Sequence, residues 1–423
     1  MKYLYGLLAL YLASWLFTLP ADALQQGFFF WRGQLVQLSG ALLIALLAAL
    51  LLMATRPRWL EQRLGGLDHL YLLHKWCGIG AAGLVVLHWL LSKSPRWLIQ
   101  WGWLTPGARH AHQGASWRGL GMELGELAFY GMLLLVIISL VQALPYGRFR
   151  LIHKLGAVLG LMAGLHSLIL LSDPLRNTPF GWLTQLACLL VLVAALWSLL
   201  GRIGRARRVT GQLEVVSHPA PDLVELAIRL PRAFTRDYQP GQFALLTLDA
   251  REGAHPFTIL RQDPDTGLTH FAIKGLGDHT RQLVQGCRAG QRVWAEGPYG
   301  RFVLPDEGAT PQLWIAGGIG ITPFFAWLEA LARQGQTRCH TRLIYCVERP
   351  EEVLHGERLR QLARKSGVAL EIHTRQQQGL LDPRPLFTDP QAQCWFCGPQ
   401  GLGECLASAL PAGRLHHERF AFR

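Results

Sequence analysis

The sequence predicts a multi-domain membrane protein in which a six-helix transmembrane bundle precedes a small β-barrel and an α/β domain. Half of the 423 residues are hydrophobic and only 16% are charged, which is too apolar for a soluble protein. The long apolar segments all lie before residue 202, and the remainder contains short strands and then alternating strands and helices. We therefore expect domains at 1–208, 209–308 and 309–423.

Charge is distributed unevenly between the two halves of the chain. Residues 1–208 carry 18 Lys and Arg against 6 Asp and Glu, whereas residues 209–423 carry 23 against 22. The second half therefore has no excess of basic residues to neutralise the phosphates of a nucleic acid, which argues against nucleic acid as a partner. The eight cysteines suggest no disulfide framework, and the single C-x-x-C at Cys394 and Cys397 lacks the second pair of a zinc site.

Six apolar runs each approach the ~20 residues that a ~30 Å hydrocarbon core requires. They cover residues 3–19, 34–54, 70–91, 122–144, 151–171 and 182–201. Basic clusters mark three of the joints, at Arg56, Arg58, Arg63, Arg148, Arg150, Lys154, Arg202, Arg205, Arg207 and Arg208. The positive-inside rule makes these joints cytoplasmic, although the outer joint 92–121 also contains basic residues. We expect a multi-pass protein in the lipid of the plasma (bacterial inner) membrane, with the second half cytoplasmic.

The first apolar run has a second interpretation. Lys2, an apolar stretch and the A-x-A-like sequence 21–23 are also typical of a cleaved signal peptide. The stretch is long for a signal peptide, so a retained span is favoured. The second run enters the membrane from outside in either case.

Four histidines lie inside the apolar runs in two matched sets. His74 and His88 are 14 residues apart on the third run, and His153 and His166 are 13 apart on the fifth. At 1.5 Å per residue these separations are ~21 and ~19.5 Å. The two spans run in the same direction, so His74 pairs in depth with His153, and His88 with His166.

Paired imidazoles at two depths favour two haems. Ionisable groups inside a membrane are costly and usually functional, and two axial histidines on one iron make an electron-transfer haem. No C-x-x-C-H signature is present, which indicates b-type haem. A 13-residue step turns ~220° around a helix, so His166 does not lie directly above His153. A laterally offset second haem, or a bend in the glycine-containing stretch 156–164, would accommodate this rotation. The alternative is a buried polar network in a transporter.

Residues 209–308 show the alternating strands and turn signals of a small β-barrel. His255–Thr258, which reads H-P-F-T, combines a stiff extended backbone with an aromatic face and a hydroxyl. Residues 274–280 form a glycine-rich turn before a predicted helix, whose free N–H groups would suit a pyrophosphate. Each motif taken alone is a common loop.

Residues 309–423 alternate strands and helices. A buried strand, Leu313–Ala316, leads into the glycine loop 317–320 and then into a helix with Pro323 near its start. This unit is the usual place for a dinucleotide pyrophosphate at the switch point of a parallel sheet. The loop lacks the final glycine of G-x-G-x-x-G, and an ordinary tight turn remains its alternative. Further strands are predicted at Leu343–Val347, Ala369–His373 and before Gly398.

The motifs, taken in order, resemble those of a known superfamily. H-P-F-T, G-D-H-T, G-G-I-G-I-T-P-F, C-G-P and the C-terminal E-R-F are similar to a ferredoxin-NADP reductase-type module. With the paired histidines before it, nearly the whole chain resembles the NADPH oxidase and ferric reductase transmembrane superfamily, most of all the prokaryotic NADPH oxidases. The resemblance implies a transmembrane di-haem domain followed by an FAD-binding β-barrel and an NADP-binding α/β domain.

The resemblance also implies roles for individual residues. FAD would be held by His255, Pro256, Phe257, Thr258, Lys274 and Thr280. The nicotinamide dinucleotide would be held by Gly317, Gly318, Gly320, Thr322, Pro323, Gly398 and Pro399. Cys397 would line the nicotinamide side and Phe420 would cover the flavin, with Phe422 as the alternative. Thr374 and Arg375 follow a strand where NADP-dependent relatives grip the 2′-phosphate, which favours NADPH over NADH.

The implied activity is that of an NADPH oxidase of the flavocytochrome b type, which reduces dioxygen to superoxide on the outer face. The alternative acceptor is a ferric or cupric chelate, a quinone or a periplasmic redox protein. Ser92 stands where several superoxide-producing relatives have another histidine, which weakens the case for a polar oxygen pocket. His110 and His112 are either solvated loop residues or a chelate site, and Arg32 is either a snorkelling anchor or a partner for a haem propionate.

Two further expectations concern partners and class. The chain shows no regulatory module, so we expect activity with NADPH and FAD and no obligatory activator protein. A non-enzymatic redox sensor would require a broken hydride pathway, and the intact dinucleotide loop argues against it.

Overall fold

The structure is a computed structural model. It describes residues 2–105, 117–141, 146–249, 253–263, 265–306, 310–387, 389, 391–411 and 413–418. The chain divides into two compact units, one up to Gly204 and one from Arg205, with the segment Gly65–Asp68 grouped with the second.

The first unit is helical. Its helices are α1 (Lys2–Leu16), α2 (Phe28–Thr55), α3 (Arg58–Leu64), α4 (Leu67–Gln100), α5 (Trp117–Val141), α6 (Tyr146–His153), α7 (Leu155–Leu170), α8 (Asp173–Arg176) and α9 (Pro179–Leu199). Five segments are long and apolar enough to cross a membrane: α2, α4, α5, Gly147–Leu170 and α9. Helix α1 has 15 residues, or ~22 Å of helix, which is short for a ~30 Å core. Among the described residues, the expected sixth span is therefore not confirmed.

Small residues bring α5, α7 and α9 together. A methyl group added to Gly131 of α5 would overlap Leu159 of α7, and one added to Gly164 of α7 would come within 3.1 Å of Leu192 on α9. Close approach through small residues is how apolar helices associate in a membrane. The first unit therefore owes its packing to glycines that face neighbouring helices.

The fifth predicted run contains a one-residue irregularity. Helix α6 ends at His153 and α7 begins at Leu155, and Lys154 between them keeps right-handed helical dihedrals (φ −61°, ψ −24°). The irregularity lies before the glycine stretch and not within it. Gly147–Leu170 remains long and apolar enough to cross a membrane as one segment.

The second unit begins with a closed antiparallel barrel. Its elements are β1 (Arg208–Ala220), β2 (Leu223–Arg229), α10 (Arg232–Thr235), β3 (Phe243–Thr247), β4 (His255–Gln262), β5 (Leu268–Lys274), α11 (Asp278–Gly286) and β6 (Arg292–Tyr299). The strands close in the order β1-β2-β5-β4-β3-β6. The interior is filled by alternating apolar residues such as Leu226, Ile259 and Phe271. The predicted barrel is confirmed.

A parallel sheet with helices follows the barrel. Its elements are β7 (Gln312–Gly317), α12 (Thr322–Gln334), β8 (Thr341–Val347), α13 (Gly356–Lys365), β9 (Ala369–Thr374), α14 (Arg375–Gln378), β10 (Gln393–Cys397), α15 (Gln400–Ala409) and β11 (Leu415–His417). The sheet order is β11-β10-β7-β8-β9, which confirms the four predicted strands. The chain moves from β7 to β8 and β9 on one side and returns to β10 on the other. The switch point therefore lies between the ends of β7 and β10.

Candidate functional site

The four histidines of the first unit form two pairs, as the sequence predicted. The ring centres of His74 on α4 and His153 at the end of α6 are 6.0 Å apart. Those of His88 on α4 and His166 on α7 are 6.2 Å apart. Helix α4 thus contributes one imidazole to each pair. The 14-residue separation of His74 and His88 sets two depths ~21 Å apart.

The geometry of both pairs fits a six-coordinate haem iron. A metal–imidazole bond of about 2 Å puts the two ligating nitrogens about 4 Å apart, and the ring centres lie farther out than the nitrogens. Separations of 6.0 and 6.2 Å leave room for one iron in each pair. In the described residues no group of three or more His, Cys, Asp or Glu side chains could hold a metal ion. A two-imidazole donor set suits haem because the porphyrin supplies the other four ligands.

Glycines leave space for the rings of His88 and His166. A methyl group on Gly125 of α5 would overlap the His166 ring, and one on Gly40 of α2 would come within 3.1 Å of His88 Cε1. Both histidines therefore occupy positions that a larger residue on the neighbouring helix would displace. Gly125 lies four residues after Gly121, whose carbonyl oxygen accepts a hydrogen bond from His166 Nδ1 at 2.7 Å.

Arg32 links α2 to the C-terminal part of α4. Pro95 lies inside α4 and cannot donate to the carbonyl of Leu91, four residues before it. Arg32 Nε donates to this carbonyl at 3.0 Å, and Arg32 Nη2 donates to the Ser92 carbonyl at 2.5 Å. Together with the Ser94 hydroxyl, which also donates to the Leu91 carbonyl at 2.9 Å, the guanidinium satisfies the backbone that the proline leaves open, a role that neither sequence interpretation of Arg32 included.

The two proposed flavin motifs meet in the barrel. The His255 ring at the start of β4 stacks on the His279 ring of α11, with centres 3.9 Å apart. Thr258 is buried on β4 opposite Phe243 of β3. The H-P-F-T strand and the glycine-rich turn are thus neighbours, although 15 residues separate them in sequence.

Lys274 and Thr280 already have protein partners. The Thr280 hydroxyl accepts from the Gly277 N–H at 2.9 Å and donates to the Gly277 carbonyl at 3.0 Å, so it caps α11. Lys274 Nζ donates to Glu352 at 2.8 Å and lies 3.5 Å from Asp222. Either residue would have to exchange these partners to bind a phosphate.

The predicted dinucleotide residues converge at the switch point. A methyl group on Gly317 would press on Pro399, and one on Gly320 would overlap the Cys397 carbonyl. Gly398 approaches Gly317 equally closely. The loops after β7 and β10 therefore touch backbone to backbone, which only glycine permits.

The start of α12 follows directly from this loop. Gly318 has φ +55°, a left-handed conformation that turns the chain between strand and helix. Thr322 donates its hydroxyl to the Ile319 carbonyl at 3.1 Å, and Pro323 occupies the first turn, where its missing N–H is not needed. The first N–H groups of α12 are thus placed beside the switch point, as a pyrophosphate requires.

Glu418 is a site residue to which the sequence analysis gave no role. Its side chain is buried, and neither carboxyl oxygen has a hydrogen-bond partner among the described residues. Burial raises the pKa of Glu418 well above its ordinary value, so the protonated form is favoured. Burial also raises the pKa of the Cys397 thiol. A carboxyl group and a thiol thus lie together at the switch point, and their approach depends on a sheet order that the sequence alone did not show.

The predicted 2′-phosphate position contains an ion pair. Thr374 ends β9, and Arg375 Nη1 lies 3.3 Å from Glu348 Oε2, which directly follows β8. Both side chains are more than half exposed. The arginine is where the sequence predicted it, but a carboxylate that would repel a phosphate shares the position.

A buried carboxylate joins the barrel to the parallel sheet. Glu225 of β2 accepts hydrogen bonds from His270 Nδ1 at 3.1 Å and from His355 Nε2 at 2.6 Å, and Arg261 lies 3.6 Å away. His355 precedes α13 with φ 45°. Burial alone would raise the pKa of Glu225, but the two histidines and Arg261 hold it well below its usual range. The pairing fixes the two subdomains of this unit to each other.

Four residues of the sequence analysis lie outside the described part of the chain. They are His110, His112, Phe420 and Phe422. The proposals that Phe420 or Phe422 covers the flavin therefore rest on the sequence alone.

Two stretches of the chain match known protein families. Residues 39–164 match the family described as ferric reductase like transmembrane component. Residues 314–407 match the oxidoreductase NAD-binding domain. The first stretch contains three of the four paired histidines, His74, His88 and His153. The second stretch contains the glycine loop and the end of β10.

Similar proteins share the reductase part. The NADPH oxidoreductase of Mycobacterium tuberculosis is 30% identical over 248 residues, which are 54% of this chain and 63% of that protein. The ferredoxin–NAD(P)(+) reductase component of the naphthalene 1,2-dioxygenase system of Pseudomonas putida is 28% identical over 40% of this chain and 50% of its own length. The chain thus spans between half and two thirds of these two curated relatives.

Among solved structures, a ferredoxin NADP+ reductase from Neisseria gonorrhoeae with bound FAD and NADP is 17% identical. It matches with a TM-score of 0.43 over 50% of this chain and 98% of that chain.

Proposed function

The chain is a member of the NADPH oxidase and ferric reductase superfamily, and we propose that it carries electrons across a membrane. The donor is cytoplasmic NADPH or NADH, the carriers are FAD and two b-type haems, and the acceptor on the outer face is dioxygen, which becomes superoxide. The observation that carries this proposal is the pair of facing imidazoles at each of two depths.

The residues of the first unit divide a long path into steps. Helix α4 holds one ligand of each pair, so the two sites stay ~21 Å apart along its axis. A second carrier is needed because electrons do not cross ~30 Å of hydrocarbon in one step. Bound haem supplies one-electron chemistry, and FAD converts a two-electron hydride donor into a source of single electrons.

The residues of the second unit orient the nicotinamide dinucleotide. The N–H groups at the start of α12 donate hydrogen bonds to a pyrophosphate, and the glycines of the switch point allow it to approach closely. Cys397 and Glu418 line the same edge of the sheet. Because both groups favour their protonated forms, they present no charge to a nicotinamide ring.

A second candidate acceptor is a ferric or cupric chelate. The observation that favours it is Ser92, whose carbonyl is bonded to Arg32 and whose side chain replaces the histidine of several superoxide-producing relatives. Reduction of a chelate at an exposed haem edge needs no oxygen pocket.

The test uses the full chain in detergent, loaded with FAD and haem. NADPH and NADH oxidation are measured in air, and superoxide is followed as dismutase-sensitive reduction of cytochrome c. We expect two haems per chain and most electrons recovered as superoxide. If nicotinamide is consumed only after a ferric chelate or a quinone is added, while dithionite reduces both haems, the reductase proposal replaces the oxidase. Preparations that never bind haem would overturn both.

A further inference from the structure

Three of the four paired histidines are held through Nδ1 by a group on a neighbouring helix. His166 Nδ1 bonds the Gly121 carbonyl at 2.7 Å, and the Leu50 carbonyl lies within reach of the His74 ring. The other two rings bond serine hydroxyls instead of carbonyls. His88 Nδ1 lies 3.0 Å from Ser39 Oγ of α2, and His153 Nδ1 lies 3.3 Å from Ser139 Oγ of α5.

Each serine hydroxyl can accept from its histidine ring while it donates to its own helix. A hydroxyl has one proton, and Ser39 donates it to the Val36 carbonyl at 3.1 Å, within its own helix. Ser139 donates its proton to the Leu135 carbonyl at 2.7 Å in the same way. Each serine oxygen therefore takes the Nδ1–H of its histidine.

The tautomer of these three rings follows from their partners. A neutral imidazole carries one proton. With that proton on Nδ1, the lone pair is on Nε2 and is available to a metal. The chain thus favours the ligating form of His88, His153 and His166 before any cofactor binds, and each pair contains one serine partner.

We propose that Ser39 and Ser139 are positioning residues that fix the tautomer and set the reduction potential of the outer and inner haem, respectively. The proposal rests on the proposed haem ligation. A hydrogen bond from Nδ1–H makes the imidazole a stronger electron donor to the metal. Mutation of such a partner typically lowers metal affinity or activity by about 10-fold to 100-fold. Loss of the serine weakens that donation, so ferric iron is stabilised less and the potential rises.

The two serines should differ in effect. The Val36 carbonyl lies within reach of the His88 ring as well as of Ser39, so His88 keeps an acceptor when the hydroxyl is removed. For His153, Ser139 is the acceptor found among the described residues. We expect Ser139→Ala to shift the inner haem by about tenfold in its reduction equilibrium, or about 59 mV for one electron, and Ser39→Ala to shift the outer haem by less.

The experiment is a potentiometric titration of the haem-loaded full chain in detergent, with haem counted by pyridine haemochromogen. The variants are Ser39→Ala, Ser139→Ala and the hydroxyl-retaining Ser39→Thr and Ser139→Thr. The control is Ser14→Ala, which removes a similar bond from Ser14 to its own helix in α1 at 2.9 Å. We expect each alanine variant to raise one midpoint, a different one in each case. Both threonine variants and the control should keep the wild-type midpoints.

Four results separate the possible failures. Loss of one haem in Ser139→Ala, with both retained in Ser139→Thr, also supports the positioning role. Unchanged midpoints in Ser139→Ala with two haems bound would overturn it, as would equal shifts of both midpoints by either alanine variant. Wild-type protein without haem would instead overturn the proposed function on which this inference rests.

Discussion

The two units present their functional groups in opposite ways. In the transmembrane unit, the candidate site consists of histidine side chains on helices. The neighbouring helices contribute glycines that leave room for these side chains and serines that bond to them. In the reductase unit, the backbone itself forms the site, where two loops at strand ends touch through Gly317, Gly320 and Gly398. The comparison teaches that helical spacing alone locates the first kind of site, whereas the second kind requires the order of strands in the sheet.

The same contrast predicts how damage spreads. A ligand removed from a helix leaves the helix intact, so the loss is confined to one pair. A methyl group added to the switch point must move backbone, because both faces of the contact are main chain. The predictions below test this difference, beginning with the largest expected effect.

Removal of an inner ligand should cost the most. We expect His74→Ala and His153→Ala each to lose one haem per chain and to lower electron delivery to the outer acceptor by more than about 100-fold, beyond the range of outer-shell changes. Flavin reduction by NADPH should persist, because the reductase unit lies in a separate compact unit. Haem content and anaerobic flavin bleaching measure the two effects. Two haems in either variant would contradict the pairing.

A glycine on the neighbouring helix should matter almost as much as a ligand. We expect Gly125→Ala to lose the outer haem alone, because the added methyl overlaps the His166 ring. Gly6→Ala on α1 is the control, since nothing lies within 4 Å of its added methyl. Haem content and a redox titration check the outcome. An intact second midpoint in Gly125→Ala would show that the ring has space to move.

The reductase unit offers the matching backbone test. We expect Gly320→Ala to slow flavin reduction by NADPH about 10-fold to 100-fold, a loss of roughly 1.4 to 2.7 kcal/mol, because the methyl overlaps the Cys397 carbonyl. Gly286→Ala at the end of α11 meets nothing within 4 Å and serves as the control. Stopped-flow bleaching of the flavin measures the rate. If both variants retain haem but Gly320→Ala also retains the wild-type rate, the switch point is not the nicotinamide site.

How far the sequence predicted these sites follows from the same contrast. The pairing of His74 with His153 was predictable because the helical rise is fixed. The irregularity at Lys154 was not, because the backbone there is helical on both sides and no proline marks it. Ser39 was not predicted either, since serine is common in apolar helices and its approach to His88 depends on how two helices rotate against each other.

In the reductase unit, the glycine loop and the end of β10 were predictable as turns but not as neighbours. Their contact arises from the return of the chain across β7, which is a property of topology. Glu418 was not predicted as a site residue for the same reason, because it follows β11, which lies at the edge of the sheet beside β10.

Stability of the reductase unit should depend on Glu225. We expect Glu225→Gln to lower the free energy of unfolding of this unit by about 2 kcal/mol, the size of a hydrogen-bonded charge. The folded-state pKa of Glu225 lies below its unfolded value, so its contribution is complete above about pH 4.3 and is lost as the pH falls through the folded pKa. The gap between wild type and variant should therefore narrow as the pH falls below about 4.3.

Thermal release of the flavin, followed by its fluorescence, measures this gap. Glu214→Gln is the control, because Glu214 pairs with Arg229 on the exposed face of the same barrel, and such exposed pairs contribute little. Equal effects of the two variants would show that the buried cluster does not hold the subdomains together.

The smallest expected effect concerns the choice between NADPH and NADH. Glu348 shares Arg375 with any 2′-phosphate and repels that phosphate, so the arginine alone does not make this position specific for NADPH. We expect Glu348→Gln to raise kcat/KM for NADPH up to about fivefold, which corresponds to the roughly 1 kcal/mol of an exposed ion pair, and to leave NADH nearly unchanged. Arg375→Ala should lower NADPH use in the wild-type background. Parallel changes for both nucleotides in Glu348→Gln would mean that Glu348 acts on the loop and not on the phosphate, and that the adenosine end binds elsewhere along the edge of β8 and β9.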